Sequence, residues 1–290
     1  MLALYMKPIQ SKSNKCAFFS KGRFPKECRS VLEAIYTSYT KEELIHPDPV
    51  EFPRRYENLA DREVTALIAS SLAYGRVQQI LKSVTKVLVP LGDSPAAFLR
   101  AANKEQLTSL YGSFKHRFTT GEELVTFLNG IGKLLRCYER LEFCLEEALL
   151  EGKDPLRGII NFAEKLKSAA GHGSLLASPV QGSACKRFFL FLKWMTRKDE
   201  VDPGGWQVLS PADLFVPVDT HMHRIALSLG LTRRKQADFK TVLEITDAFR
   251  TIAPDDPVRY DFALTRFGIR AELDISELVE LCQGSPLKEE

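Results

Sequence analysis

The stretch GSACKRFFLFLKWM, residues 182–195, has apolar side chains at helical spacing and predicts an amphipathic helix rather than a strand. Ser183 is the predicted N-cap, which would place Lys186 at the third position of the helix. Unpaired backbone N–H groups at that end favour loss of a proton from an amine. The apolar stripe consists of Cys185, Phe188, Phe189, Leu192 and Met195.

Lys186, Lys193 and Arg197 share the opposite face of this predicted helix. A solvated basic face explains them on local grounds. A cation near a helix N-terminus is mildly unfavourable, so Lys186 is also a candidate for a functional amine.

A second stretch, VDTHMHRIALSLGL at residues 218–231, places Asp219 at the start of another predicted helix. Asp219 has two interpretations, a structural N-cap and a carboxylate kept ionised by the helix N-terminus. Asp219, His221 and His223 also spell D-x-H-x-H, which in a metal-dependent amidohydrolase would lie at a strand end. That alternative needs ligands from later strands, whereas the chain has no histidine after His223 and the residues after Asp219 have helical period.

Helical spacing recurs along most of the chain and alternation with period two is scarce, so the predicted fold class is all-α. One further predicted helix begins at the candidate N-cap Asp61, and another at a capping box of Thr120 and Glu123. The remaining predicted helices cover 76–89, 155–169, 237–252, 257–268 and 274–282.

Two helical lobes and an N-terminal extension are the predicted organisation. Residues 1–27 are expected to be disordered or an extension. Residues 60–197 would form one lobe, and both chain ends, 28–59 plus 205–285, would form the other. Lys186 and Asp219 would then face each other across the cleft between the lobes.

Composition is that of an ordinary globular protein. The 290 residues, 44% of them hydrophobic, can bury a substantial core, and a net charge of +3 tolerates an anionic partner without requiring one. No apolar run reaches the length of a membrane span and the first residues do not resemble a signal peptide, so no membrane partner and a cytoplasmic location are expected. Six scattered cysteines without a CxxC pair predict reduced thiols, with no disulfide framework, no metal site and no cofactor.

Several motifs resemble those of the helix-hairpin-helix DNA glycosylase superfamily, typified by endonuclease III and including archaeal 8-oxoguanine glycosylases. VDTHMHRIALSLGL is similar to the segment that carries the catalytic carboxylate, and GSACK to the hairpin end, where a lysine lies four residues after a glycine. RYDFALTRFGI at 259–269 resembles a later helix, and EVTALIASSLAYGRVQQI at 63–80 the helix that leads to the loop probing the opened duplex. The motifs WMTRKD, VDPGGW, DTHMHR and PDDPVRYDFALTRFGI also resemble an uncharacterised bacterial family of unknown function, over residues 30–280.

The resemblance implies a two-lobed helical bundle of the glycosylase type with a degenerate hairpin. SPVQGSACK keeps only Pro179, Gly182 and Lys186 of the usual hairpin, and the four-cysteine iron–sulfur loop of endonuclease III is missing from the sequence.

The activity that the resemblance implies is that of a DNA N-glycosylase with AP lyase activity in base excision repair, removing a damaged base such as the oxidised purine 8-oxoguanine. Lys186 would be the nucleophile, and Asp219 would accept its proton or stabilise positive charge on the sugar. The partner would be double-stranded DNA with the damaged base flipped out, bound by a monomer. The alternative is a non-catalytic nucleic-acid-binding relative, which needs only a basic rim.

Nine further residues are predicted to contact DNA. Tyr74 and Arg76 would fill the gap that the flipped-out base leaves in the DNA base stack. The alternative for Tyr74 is a structural residue of the hydrophobic core. Residues 115–117 form a basic loop between two phenylalanines, which would bind phosphates or stack a base. The alternative is a plain solvated loop that binds no ligand. The predicted DNA-binding residues are Tyr74, Arg76, Lys115, His116, Arg117, Gly182, Arg187, His221 and Arg224.

Overall fold

The structure is a computed structural model that describes residues 26–171, 173–269 and 275–282. The all-α prediction is confirmed, because the described chain consists of helices joined by turns, with a single two-stranded antiparallel sheet. The predicted extension over residues 1–27 lies outside the described residues except for its last two, which belong to the first helix. No helix in the described ranges is both long and apolar enough to cross a membrane.

Short connections join most of the α-helices, and longer segments precede α2, α9 and α10. They are α1 (Lys26–Tyr39), α2 (Leu59–Ser71), α3 (Val77–Leu88), α4 (Pro95–Ala101), α5 (Lys104–Tyr111), α6 (Gly121–Tyr138), α7 (Leu141–Gly152), α8 (Pro155–Ala170), α9 (Lys186–Thr196), α10 (Thr220–Ser228), α11 (Phe239–Arg250), α12 (Asp261–Ile269) and α13 (Ile275–Cys282). Short 3-10 turns cover Glu42–Leu44, Pro49–Glu51, Pro53–Arg55, Val89–Leu91, Pro179–Gln181 and Pro211–Asp213. The sheet pairs β1 (Lys115–His116) with β2 (Thr119–Thr120).

Side-chain caps set several helix starts. The Thr120 hydroxyl accepts from the backbone N–H of Glu123, whose carboxylate accepts from the backbone N–H of Thr120, so the predicted capping box of α6 is confirmed. The predicted N-cap of α2 is wrong, because Asn58 caps that helix instead. Asp61 is buried one turn later, where its carboxylate accepts from Ser94 Oγ and the backbone N–H of Ala96 and ties α2 to α4.

The helices pack in two groups joined by a central pair. α6 contacts α4, α5, α7 and α8, while α1 and α10 both contact α12 and α13. α2 packs along α9 and also contacts α4 and α7. The division into lobes at 60–197 and at 28–59 plus 205–285 stays a prediction.

Helix α9 is buried on nearly every side. The predicted apolar stripe is buried, and so are Leu190, Phe191 and Trp194 outside it. The prediction of a solvated basic face is wrong for Lys193 and Arg197, because both side chains are buried among carboxylates.

A network of ion pairs surrounds these two cations. Lys193 Nζ lies 3.0 Å from Asp261 Oδ2 and 3.4 Å from Asp202 Oδ1. Burial lowers the pKa of Lys193, but Asp202 and Asp261 raise it by more, so the net shift is upward and the ammonium group stays charged. Arg197 pairs with Asp199, Asp202 and Asp256. Asp256 and Asp261 therefore neutralise cations of α9.

The expectation of reduced thiols without a disulfide is wrong for one cysteine pair. Cys28 in α1 and Cys282 in α13 form a disulfide across 254 residues of chain. Their helices pack against each other, which no local spacing in the sequence indicates. Cys137, Cys144 and Cys185 are free thiols.

Candidate active site

Lys186 is the first residue of α9 and follows an unusual turn. Gly182 and Cys185 both have positive φ, 76° and 46°, and Cys185 occupies the N-cap position. The predicted N-cap is therefore wrong: the Ser183 hydroxyl accepts from the backbone N–H of Cys185 in a local turn, so Lys186 stands at the first helical position rather than the third. The Gly182 carbonyl accepts from the backbone N–H of Phe239, which joins this turn to the start of α11.

Asp219 is the N-cap of α10, as the structural interpretation predicted. Its Oδ1 accepts from the backbone N–H groups of His221 and Met222, at 2.9 Å each. Its Oδ2 lies 4.0 Å from Lys186 Nζ, and both side chains are 29% exposed. One carboxylate oxygen thus caps the helix while the other faces the lysine, so the two interpretations of Asp219 are compatible.

Lys186 and Asp219 line the same open cleft, which has a volume of about 620 Å³. That volume lies within the range of protein pockets that hold small ligands, roughly 300–1,000 Å³. The lining residues are Asp48, Pro49, Ala73, Tyr74, Gly75, Val77, Ile80, Lys186, Arg187, Leu190, Lys193, Trp194, Asp219, Thr220, His221, Asp261, Phe262 and Thr265.

A second carboxyl group, that of Asp48, enters this cleft from the short turn Pro49–Glu51. Its Oδ1 accepts from the backbone N–H of Val50 at 3.0 Å, and its Oδ2 lies 3.2 Å from Arg266 Nη2. Burial raises the pKa of Asp48, and Arg266, the Val50 N–H, Lys186 and Lys193 oppose the rise without cancelling it. Asp48 is therefore more readily protonated than an exposed aspartate.

Arg187 is held by backbone carbonyls rather than extended into solvent. Its Nη1 donates to Ser71 O and its Nη2 to Ser174 O, each at 2.6 Å. The guanidinium carbon lies 4.9 Å from the ring centroid of Tyr74. Burial lowers the pKa of Arg187. The residue therefore fixes the wall of the cleft beside Lys186.

Tyr74 lies half-buried at the edge of the cleft, next to the β1–β2 hairpin. Its hydroxyl donates to His116 O at 2.9 Å, and its ring stacks on Phe118 with centroids 5.3 Å apart. Phe118 is 66% exposed, and its neighbours Lys115 and Arg117 are exposed as well. The hairpin thus presents two cations and one aromatic ring beside the opening of the cleft.

His116 departs from the predicted basic loop, because its side chain is buried. Its Nε2 donates to the Tyr74 carbonyl at 3.1 Å, and its Nδ1 lies 2.8 Å from Ser83 Oγ. Strand pairing turns the side chain of His116 inward while those of Lys115 and Arg117 face solvent. A direct contact between His116 and DNA is therefore not compatible with this structure.

The other predicted DNA-binding residues are exposed. His221 lines the cleft, whereas Arg76, Gly182 and Arg224 lie outside its lining. His223 is buried, with its Nε2 2.8 Å from the carbonyl oxygen of Arg234, so the D-x-H-x-H residues do not converge. Across the described part of the chain, no group of three or more His, Cys, Asp and Glu side chains is arranged to hold a metal ion.

Sequence reasoning missed three ionisable residues of the cleft, Asp48, Lys193 and Asp261. Lys193 was assigned to a solvated face. Asp48 lies in HPDPVEFP, where the three prolines indicate only a turn. The raised pKa of Asp48 depends on a fold that brings α9 and α12 beside that turn.

Comparison with known proteins identifies a family but no activity. A family model described as "Protein of unknown function (DUF2400)" matches residues 48–270. No curated protein and no solved structure matches the chain. The assignment to the helix-hairpin-helix DNA glycosylase superfamily is therefore wrong, whereas the expectation of an uncharacterised family is confirmed. The matched span contains Asp48, Lys186 and Asp219, and on this match the chain belongs to the DUF2400 family of proteins of unknown function.

Proposed function

We propose that this protein is a DNA N-glycosylase with AP lyase activity that acts in base excision repair. Its substrate would be double-stranded DNA with a damaged nucleotide turned out of the helix. The observation that carries the proposal is the 4.0 Å separation of Lys186 Nζ and Asp219 Oδ2 in a cleft open to solvent. An amine beside a carboxylate is the pair that nucleophilic attack on a sugar carbon requires.

The proposed reaction starts with transfer of a proton from Lys186 to Asp219. The amine nitrogen forms a bond to C1′ of the nucleotide, and the bond from C1′ to the base breaks with its electron pair moving to the base nitrogen, which takes up a proton. Opening of the sugar ring then leaves a protonated Schiff base. Removal of a C2′ proton expels the 3′ phosphate, which cuts the strand.

The rim of the cleft supports a nucleic-acid substrate. Lys115, Arg117 and Arg76 are exposed, and the Arg117 side chain lies against Gly75, next to Arg76. Cations at such positions pair with phosphates. Arg117 lies over Phe118, and Phe118 stacks on Tyr74, so an aromatic surface accompanies the charges. Both reacting groups come from one chain, so we propose that a monomer suffices and that the site uses no cofactor.

Borohydride trapping on duplex DNA that carries one abasic site tests the nucleophile. An imine between Lys186 and the abasic aldehyde would be reduced to a stable amine, giving a covalent complex with wild-type protein and none with Lys186→Ala. Lys104→Ala is the matched control, because Lys104 is exposed at the start of α5 and lies outside the cleft lining. Undiminished trapping by Lys186→Ala would remove Lys186 from the role.

The role of Asp219 is tested by Asp219→Asn in the same assay. Asparagine is as good an N-cap as aspartate, so α10 should keep its start while the proton acceptor is lost. We expect the rate of complex formation to fall by about 10²- to 10⁴-fold, the usual contribution of a general base. A rate within twofold of wild type would show that Asp219 is only a cap.

A non-catalytic nucleic-acid-binding module is the second candidate. The observation that favours it is the exposed Phe118 beside Arg117, which would serve recognition without any chemistry. Salt-sensitive binding to DNA together with no trapped complex on abasic DNA and no cleavage of duplexes carrying single lesions would support this candidate over the enzyme.

A further inference from the structure

We infer that Asp48 is a second proton-transfer group of this cleft, which donates a proton to the base as it leaves. This inference rests on the proposed function and adds a role for a carboxyl group on the turn Pro49–Glu51, far from Lys186 and Asp219 in the sequence. The juxtaposition of Asp48, Lys186 and Asp219 in one cleft carries it.

Departure of a neutral base demands a proton source. The base leaves with the electron pair of its bond to C1′, and protonation of the base nitrogen neutralises that charge. Asp219 holds the proton taken from Lys186, but its Oδ1 is bound to two helix N–H groups and only its Oδ2 faces the amine. A second acid that enters the cleft from another element would protonate the base while Asp219 stays beside Lys186.

Two hydrogen bonds orient the Asp48 carboxyl group without using all of its hydrogen-bonding positions. Val50 N–H binds Oδ1, and Arg266 Nη2 binds Oδ2. A carboxylate oxygen has two lone pairs, so each oxygen keeps a position for a proton or a ligand. Arg266 is itself buried and also donates to Ile45 O at 2.8 Å, so its guanidinium group holds Asp48 in place.

Burial and nearby charges determine the protonation of Asp48. Burial raises the pKa of Asp48 against the opposing charges of Arg266 on α12 and of Lys186 and Lys193 on α9. Asp219 and Asp261 are the other carboxyl groups that line the cleft. Loss of the Lys186 proton removes one opposing charge, and bound phosphates add negative charge, so both changes that start the reaction favour protonated Asp48. Two carboxyl groups in unlike environments are the usual arrangement for an acid and a base in one site.

The other ionisable groups of the cleft are less suited to donate. Asp261 binds Lys193 at 3.0 Å, and Lys193 is buried between two carboxylates. The Tyr74 hydroxyl already donates to His116 O. His221 lies exposed at the start of α10, and no contact with the described residues orients its ring towards a bound base.

Comparing substrates that differ in the leaving group tests the inference. Asp48→Asn keeps the acceptor for Val50 N–H but cannot donate an acidic proton. Glu51→Gln is the matched control, since it removes the same charge from the same turn outside the cleft lining. The probes are duplexes carrying an abasic site, a neutral base (8-oxoguanine, uracil or hypoxanthine), or 7-methylguanine, whose cationic base leaves without protonation.

We expect Asp48→Asn to trap abasic DNA within about twofold of wild type and to release 7-methylguanine normally. Release of the neutral bases in single turnovers should slow by about 10²-fold or more, the usual loss when a general acid is removed. Deprotonation of Asp48 should slow excision by the wild-type protein as the pH rises, and this part of the pH dependence should be missing in the variant. Glu51→Gln should match wild type throughout.

Three results would overturn the inference while leaving Lys186 as the nucleophile. The first is release of neutral bases by Asp48→Asn at the wild-type rate. The second is an equal loss on all three kinds of duplex, which would make Asp48 a structural residue. The third is wild-type protein that traps abasic DNA but releases no neutral base. Failure of wild-type protein to trap abasic DNA would instead reject the proposed function itself.

Discussion

His116 lies between Ser83 Oγ and the carbonyl of Tyr74, inside the protein rather than on a basic loop. The Tyr74 carbonyl oxygen can only accept, so Nε2 carries the hydrogen of the neutral ring. Nδ1 then accepts a hydrogen bond from the Ser83 hydroxyl. Burial lowers the pKa of His116, and Arg117 and Arg187 lower it further, while hydrogen bonds to the carbonyls of Tyr74 and Leu72 act in the opposite direction. The folded protein therefore prefers His116 neutral.

This preference predicts a pH dependence of the free energy of unfolding. The folded pKa lies below the ordinary value of 6.5, so in the interval between the two values the unfolded chain binds more protons than the native state. The stabilising contribution of neutral His116 is fully present above pH 6.5 and is lost as the pH falls towards the folded pKa. Urea unfolding at a series of pH values measures it.

The contribution of His116 is isolated by comparison with His116→Gln. The difference in unfolding free energy between the two proteins should shrink as the pH falls below 6.5, because glutamine does not titrate. A difference that stays constant from pH 5 to pH 8 would contradict the assignment.

Helix α9 carries two lysines, seven residues apart, in different surroundings. Lys186 is 29% exposed at the cleft and lies 4.0 Å from one carboxylate, whereas Lys193 is 1% exposed and contacts two. Helical periodicity puts both on one face of α9, but α12 and the segment containing Asp202 cover only the second. The element thus has a solvated first turn and a buried ionic third turn.

Replacing each lysine by methionine should separate the two environments. Lys193→Met removes a cation from buried Asp202 and Asp261, although Asp202 keeps its pair with Arg197. Removal of one partner from a buried pair costs about 3–5 kcal/mol of stability. Lys186→Met breaks only a solvent-accessible pair, which is worth less than about 1 kcal/mol. Denaturant unfolding of the two variants measures both values.

The two substitutions control for each other, because they change the same residue type in the same helix. Equal losses of stability would contradict the assignment of Lys193 to a buried network. Since Lys186→Met should fold normally, its loss of trapping on abasic DNA would report on chemistry and not on folding.

At the scale of the whole molecule, the disulfide joins helices from opposite ends of the chain. Cys28 and Cys282 are 254 residues apart, so the bond restricts almost the entire unfolded chain. We expect reduction to lower the free energy of unfolding by about 2–4 kcal/mol, chiefly because the unfolded state gains conformational freedom. Thermal unfolding with and without dithiothreitol measures this change.

Cys28→Ser is the control for the disulfide. Its unfolding should not respond to dithiothreitol and should match that of the reduced wild type. A reductant effect that persists in Cys28→Ser, or none in wild type, would contradict the assignment.

Local sequence determined the elements and part of the site. Helical spacing predicted α9, α10 and most other helices, because the periodicity of 3.6 residues is a property of consecutive residues. The capping box of Thr120 and Glu123 and the N-cap at Asp219 were predictable for the same reason, since a cap joins residues two or three positions apart.

Tertiary structure alone decided which charges are buried, which cysteines pair and which carboxyl groups share the cleft. From the sequence, Lys193 and Arg197 are predicted to lie on a solvated face, whereas in the fold they are paired with Asp202, Asp256 and Asp261. The physical reason is that desolvation and charge pairing depend on neighbours in space. Those neighbours come from helices far apart in the chain, which helical period and capping motifs do not bring together.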